Sequence, residues 1–117
     1  MGTNSGLGNL LGLCRRAGLL TLGVREVSNS ILDNKCFGVI IARDASKRSK
    51  NKVIHLCREY EIPAVEWSEQ KNLGVCVGNP PLSVVGVNDS KMAAKVIHLA
   101  LNVSRQSGFN TEYRGGH

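Results

Sequence analysis

The sequence predicts a single domain of the α/β class, and three observations carry that prediction. Segments with apolar residues at helical spacing alternate with short β-branched runs, the pattern of helices layered on a sheet. Short connections rich in Gly, Pro, Asn and Asp separate them, with no repeat and no low-complexity linker. The 117 residues, 42% hydrophobic and 21% charged, suffice for one core and leave no room for a second.

The elements follow in order. Asn4 or Ser5 is placed to cap a first helix whose Leu7, Leu10, Leu11 and Cys14 form one stripe, and Gly18 is placed to end it. A second helix begins near Gly23, turns Val24, Val27, Ile31 and Leu32 inward, and closes at Asp33 and Asn34. The run Phe37 to Ala42 (FGVIIA) is short, β-branched and apolar, so it reads as a central strand covered on both faces. A third helix follows the ARDAS turn, with Ser46 or Ser49 as its cap and Val53, Ile54, Cys57 and Tyr60 facing inward. Pro63 breaks that pattern before a second strand, Ala64 to Trp67. Ser68 is expected to cap a short helix through Leu73 to Val77, and two adjacent prolines stiffen the loop Gly78 to Leu82 (GNPPL). A strand from Ser83 to Val87 comes next. Asp89 then caps a last helix that buries Met92, Ala93, Val96, Ile97, Ala100 and Leu101. The domain is expected to span 1–103, with 104–117 a mobile polar tail.

Composition narrows function. No apolar run approaches the roughly 20 residues that cross a bilayer, and the N-terminus lacks the features of an export signal. The expectation is therefore a cytoplasmic protein with no membrane partner. Fifteen Lys and Arg against nine Asp and Glu give a net charge of +6, which favours a polyanionic partner, nucleic acid first. Cys14, Cys36, Cys57 and Cys76 lie too far apart for a zinc motif, so no metal is expected and the thiols read as reduced, small core hydrophobes.

Catalytic patterns are absent from the sequence. His55, His98 and His117 fall in two helices and the tail, without paired carboxylates or a triad arrangement, so no enzyme and no cofactor is expected. The segment GLGNLLG, with Gly6, Gly8 and Gly12, has the wrong glycine spacing for a dinucleotide fingerprint and does not follow a strand.

Two basic regions remain. Arg43, Lys47, Arg48, Lys50, Lys52 and Arg58 concentrate charge at a strand end, a turn and a helix start, where cations oppose the helix dipole and an anion would relieve the cost. The alternative is an ordinary solvated helix face. At the second helix, Gly23 permits close backbone approach, and Val24, Arg25 and Glu26 occupy the first turn. An Arg there can donate two hydrogen bonds to a guanine edge and a Glu can accept from base N–H groups. With only five aromatic residues, a platform of stacked single-stranded bases is unsupported, and structured RNA suits this surface better.

The ordered residues resemble the L7Ae and L30e ribosomal protein family, most closely its bacterial YlxQ-like branch. The resemblance runs over about residues 8–103, through LLGLCRRAG (Leu10 to Gly18), Gly23, VIIARDAS (Val39 to Ser46), EIPAV (Glu61 to Val65), Leu73 with Gly74, Gly78, and VVGVND (Val84 to Asp89). It implies a three-layer α/β/α sandwich with a small mixed sheet. It also implies binding to structured RNA, typically the kink-turn, a sharp bend held by sheared G·A pairs; the expectation that follows is a non-catalytic, ribosome-associated monomer.

The family's Gly-x-Asn-Glu segment falls on Gly23, Val24, Arg25 and Glu26, matching at Gly23 and Glu26 but not at Arg25. A Lys that relatives often carry falls on Asn29. The loop that covers an extruded nucleotide falls on Gly78, Asn79, Pro80, Pro81 and Leu82. Lys35, Arg43, Lys47 and Arg48 are expected to attract the phosphates, with Asp44 in the same turn. An alternative reading is a protein-interaction module of the same fold, in which positions 25 and 29 mark drift away from kink-turn recognition.

Overall fold

A computed structural model describes residues 5–106 and 112–113. The chain runs α1 (Ser5–Arg16), β1 (Leu20–Leu22), α2 (Val24–Leu32), β2 (Gly38–Ile41), α3 (Lys47–Glu59), β3 (Ala64–Glu66), α4 (Gln70–Cys76), β4 (Val84–Val87), α5 (Ser90–Gln106) and β5 (Glu112–Tyr113). The strands form one mixed sheet in the order β1-β4-β2-β3-β5. β2 and β3 are parallel, joined by α3 as the crossover, while the other pairs are antiparallel. Helices α2 and α3 cover one face; α5 covers the other, with α1 against α5 and α4 against α1. This is the expected three-layer α/β/α sandwich.

Two glycines in the sheet admit the two helical layers. A Cβ on Gly38 would stand 3.1 Å from Ala93 Cβ on α5, and one on Gly86 would stand 3.4 Å from Val27 Cγ2 on α2. The core between the layers is apolar: Ile40, Ile41, Val65, Trp67, Leu11, Ile31 and Leu73 are fully buried. Gly8 and Gly12, one helical turn apart, bring α1 against Cys76, at 3.0 Å from its Sγ and 3.1 Å from its carbonyl oxygen for an added Cβ. Helix packing thus accounts for Gly8 and Gly12 of GLGNLLG, whereas a Cβ on Gly6 would meet nothing within 4 Å.

Capping follows the sequence at two helices and departs from it at a third. Ser46 Oγ accepts from Ser49 N at 3.1 Å, and Asp89 Oδ2 accepts from Met92 N at 2.9 Å, as expected of N-caps. Ser68 does not cap α4. It takes a left-handed conformation with φ of 62°, and the first N–H of the helix goes to Asp44 Oδ1 across the turn, at 2.8 Å from Gln70 N. The other proposed cap, Asn4, lies outside the described residues.

Several expectations are corrected. Leu20–Leu22 form an edge strand, β1, where the sequence shows only a short link between the first two helices. Residue 103 is not an element end, since α5 continues to Gln106 and Glu112–Tyr113 pair with β3; the mobility expected of the remaining tail lies outside the described residues. Leu32 and Tyr60, at the last position of α2 and the C-cap of α3, are 50% and 38% exposed rather than buried. Phe37 is 44% exposed because β2 begins one residue after it.

The four cysteines are free, with Cys14, Cys36 and Cys57 buried and Cys76 half-buried. Burial raises all four thiols, and pushes Cys57 furthest, to about 12.

Candidate nucleic-acid interface

Strand register brings three distant segments to one end of the sheet. Leu22 of β1 pairs with Val85, Ile41 of β2 with Val84, and Glu66 of β3 with Ile41. The C-terminal ends of β1, β2 and β3 therefore meet the N-terminal end of β4. Hydrogen bonds extend the register past the strands: Gly23 N donates to Val84 O at 3.0 Å, Ala42 N to Ser83 O at 2.8 Å, and Arg43 N to Ser68 O at 2.8 Å. The start of α2, the turn into α3 and the loop before β4 thus share one rim.

Gly23 sits at the N-cap of α2 with φ of 98° and ψ of 156°, a region open essentially to glycine alone. No side chain caps this helix, so its leading N–H groups face outward with the positive end of the helix dipole. Arg25 and Glu26 are exposed on the first turn. The Glu26 carboxylate folds back over the glycine, with Oε1 3.5 Å from where a Cβ on Gly23 would stand. The site thus pairs a donor fork and an acceptor beside bare backbone amides. Val24 is half-buried against the core and sets the helix entry angle.

The loop from Gly78 to Leu82 is fixed by contacts with α4. Gly78 is left-handed, at φ of 68°, and Asn79 N donates to Gly74 O at 2.9 Å. A Cβ on Gly74 would lie 2.6 Å from Asn79 O, so only glycine lets the loop fold onto the helix. Pro80 and Pro81 are exposed on the rim with Asn79 partly covered. Leu82 is a correction: it is 7% exposed and belongs to the core, so its side chain takes no part in the rim.

Asp44 also has a different place from the one expected. Its carboxylate holds Gln70 N, Gln70 Nε2 donates to the Asp44 carbonyl at 3.0 Å, and Ser83 Oγ donates to Gln70 Oε1 at 3.1 Å. This bracket ties the turn into α3 to the loop before β4. Arg43, Lys47 and Arg48 project into solvent beside it. Lys50 does not join them, because its Nζ donates to Arg43 O at 2.6 Å and faces Glu66 at 3.4 Å.

Lys35 is a second correction. It follows α2 and precedes β2, whose first residue Gly38 pairs with Val87 at the far end of β4. A cation there stands at the end of the sheet opposite Gly23. Asn29 lies one helical turn beyond Arg25 on α2, and both line a groove between α2 and α3 together with Asn51, Lys52 and His55. The sequence reading did not assemble that groove. Helical spacing puts Arg25 with Asn29 and Lys52 with His55, but which faces of two helices meet depends on packing that spacing does not specify.

Among the described residues, no group of three or more His, Cys, Asp or Glu is arranged to hold a metal ion.

Fold and rim together are those of a small α/β protein built around an open helix start. The chain belongs to the ribosomal protein L7Ae/L30e/S12e/Gadd45 family, whose sequence model matches residues 4–97. It is 34% identical over 91 residues to the RNA-binding protein YlxQ of Enterococcus faecium, covering 78% of this chain and 87% of that one. The RNA-binding protein YlxQ of Bacillus subtilis is 32% identical over 90 residues, covering 77% and 90%. Among solved structures, a protein of unknown function from Bacillus halodurans superposes with a TM-score of 0.78 at 30% identity, covering 80% of this chain and 95% of that one. The 15.5kD RNA binding protein of Giardia lamblia has a TM-score of 0.69 at 21% identity, covering 84% and 87%, and shares the fold.

Proposed function

We propose that this protein is a non-catalytic, ribosome-associated RNA-binding protein that recognises a kink-turn-like bend, as a monomer, at the rim formed by the α2 start. The carrying observation is the convergence of Gly23 to Glu26, Arg43 to Arg48 and Gly78 to Pro81 on one end of the sheet. Membership of a ribosomal protein family and the RNA-binding names of the two YlxQ relatives support the partner class. In this reading the N–H groups of the first α2 turn approach a backbone phosphate. Arg25 donates to a guanine edge, Glu26 accepts from base N–H groups, and the exposed prolines give an apolar rest for an unstacked nucleotide.

Titration of a kink-turn RNA and a plain duplex of equal length tests the proposal. The wild type is expected to prefer the kink-turn, and Arg25→Ala or Glu26→Ala to weaken that binding about tenfold each, from the loss of one base contact. Equal affinity for both RNAs, unmoved by either substitution, would reject the site. If a largely apolar protein partner were instead the ligand, its affinity would hardly respond to salt.

A further inference from the structure

The groove between α2 and α3 runs away from the rim and shares Arg25 with it. It encloses about 500 Å³, the size range of sites that hold a small molecule or a single nucleotide. Its floor is apolar. Leu32, half exposed at the end of α2, and Leu56 of α3, partly buried against the core, present aliphatic surface to it. Asn29 and Asn51, one from each helix, add amides that can donate and accept at once. Arg25 and Lys52 supply positive charge, and no acidic side chain lines the groove. His55 also contributes from α3; its ring stands 3.6 Å from Glu59, one turn on, and remains 77% exposed.

We propose that this groove takes one unpaired nucleotide of the bound RNA, its base on the Leu32 and Leu56 floor, its edge read by Asn29 and Asn51, and its phosphate held by Lys52, which leaves Arg25 to the rim contact. The inference rests on the proposed RNA-binding function and adds a second contact to it. The chemistry favours a base over the other occupants. A sugar-phosphate track needs cations but has no use for an apolar floor bordered by amides. An amphipathic helix needs apolar contacts repeated over several turns, and this floor offers two leucines between polar groups. A base has flat faces for aliphatic or imidazole contact and an edge that amide side chains match.

The test is a set of double-mutant cycles on the full chain. A kink-turn RNA carrying two unpaired nucleotides at each end is prepared intact and with each unpaired position made abasic in turn. Affinities are measured for wild type, Asn51→Ala, Lys52→Ala and Glu26→Ala. Asn51 and Lys52 are exposed on α3, so circular dichroism is expected to show both variants folded. Asn51→Ala and Lys52→Ala are each expected to weaken binding about fivefold, and one abasic position to lose about fivefold in wild type but nothing further in Asn51→Ala. Unchanged affinity in both α3 variants overturns the proposal. So does weakening by Lys52→Ala with no abasic position coupled to Asn51, which would make the groove a phosphate track only. Failure of the rim reading shows separately, as an affinity that Glu26→Ala leaves unchanged.

Discussion

Gly23 concentrates the local cost of the rim in one residue. Its φ of 98° and ψ of 156° exclude side chains, so Gly23→Ala is expected to destabilise the fold by about 1–3 kcal/mol, read as a lower urea midpoint at constant m-value. The same substitution should weaken RNA binding by more than an equally destabilising change far from the rim, because it shifts the backbone amides themselves. Cys57 offers a test of burial. Its thiol is raised from 9.0 to about 12 by desolvation first and by the neighbouring Cys36 second. A group whose pKa is higher folded than unfolded contributes stability below the unfolded value and loses it as pH climbs through the folded one. Stability is therefore expected to fall between pH 9 and 12, and Cys57→Ala to flatten that part of the curve. A profile unchanged by the substitution would contradict the burial. A thiol reagent at neutral pH should modify half-buried Cys76 before the other three.

Elements differ in how plainly the sequence announces them. β2 and β4 are visible as β-branched runs because both faces of the sheet are covered, and α5 because its apolar stripe repeats from Met92 to Leu101, about three turns. β1 is not: three half-buried residues between Gly18 and Gly23 are too short to show alternation, and their strand character comes from pairing with β4, far along the chain. The start of α2 was legible because a glycine followed by exposed Arg25 and Glu26 is a local pattern. Lys35 was misread because counting charge along the chain ignores that α2 carries it to the opposite end of the sheet. Leu82 was misread because an apolar loop residue can face the core as well as solvent. The Asp44 bracket was invisible for a related reason, since its partners Gln70 and Ser83 lie on other elements. Asp44→Ala removes the acceptor for the first N–H of α4 and is expected to cost about 1 kcal/mol. If the bracket positions the loop, hydrogen exchange at Asn79 and Leu82 should rise in this variant while β2 stays protected. Equal exchange in both proteins would show that Gly74 packing alone holds the loop.

For the whole molecule, the distribution of charge matters more than the net value of +6. Arg25, Arg43, Lys47 and Arg48 stand free at the rim, whereas Lys50 is occupied by Glu66 and Lys35 faces the other way. If Arg43, Lys47 and Arg48 each displace a counterion while Arg25 contacts a base, the salt dependence of RNA binding should have a logarithmic slope of about −2 to −3. Arg43→Ala should reduce it by about one unit, and Lys35→Ala should leave it unchanged. A slope that Lys35→Ala alters as much as Arg43→Ala would mean diffuse attraction by the whole surface. The central claim is narrower: three segments far apart in sequence act as one RNA-binding face because the sheet register joins them. Backbone amide shifts of isotopically labelled protein titrated with a kink-turn RNA test it most directly. The account predicts that the amides of residues 23–26, 43–48 and 78–79 shift together at a single saturation point, Pro80 and Pro81 having none to report, while Lys35 and its neighbours do not move. Shifts confined to one of the three segments, or centred on the Lys35 end, would contradict it.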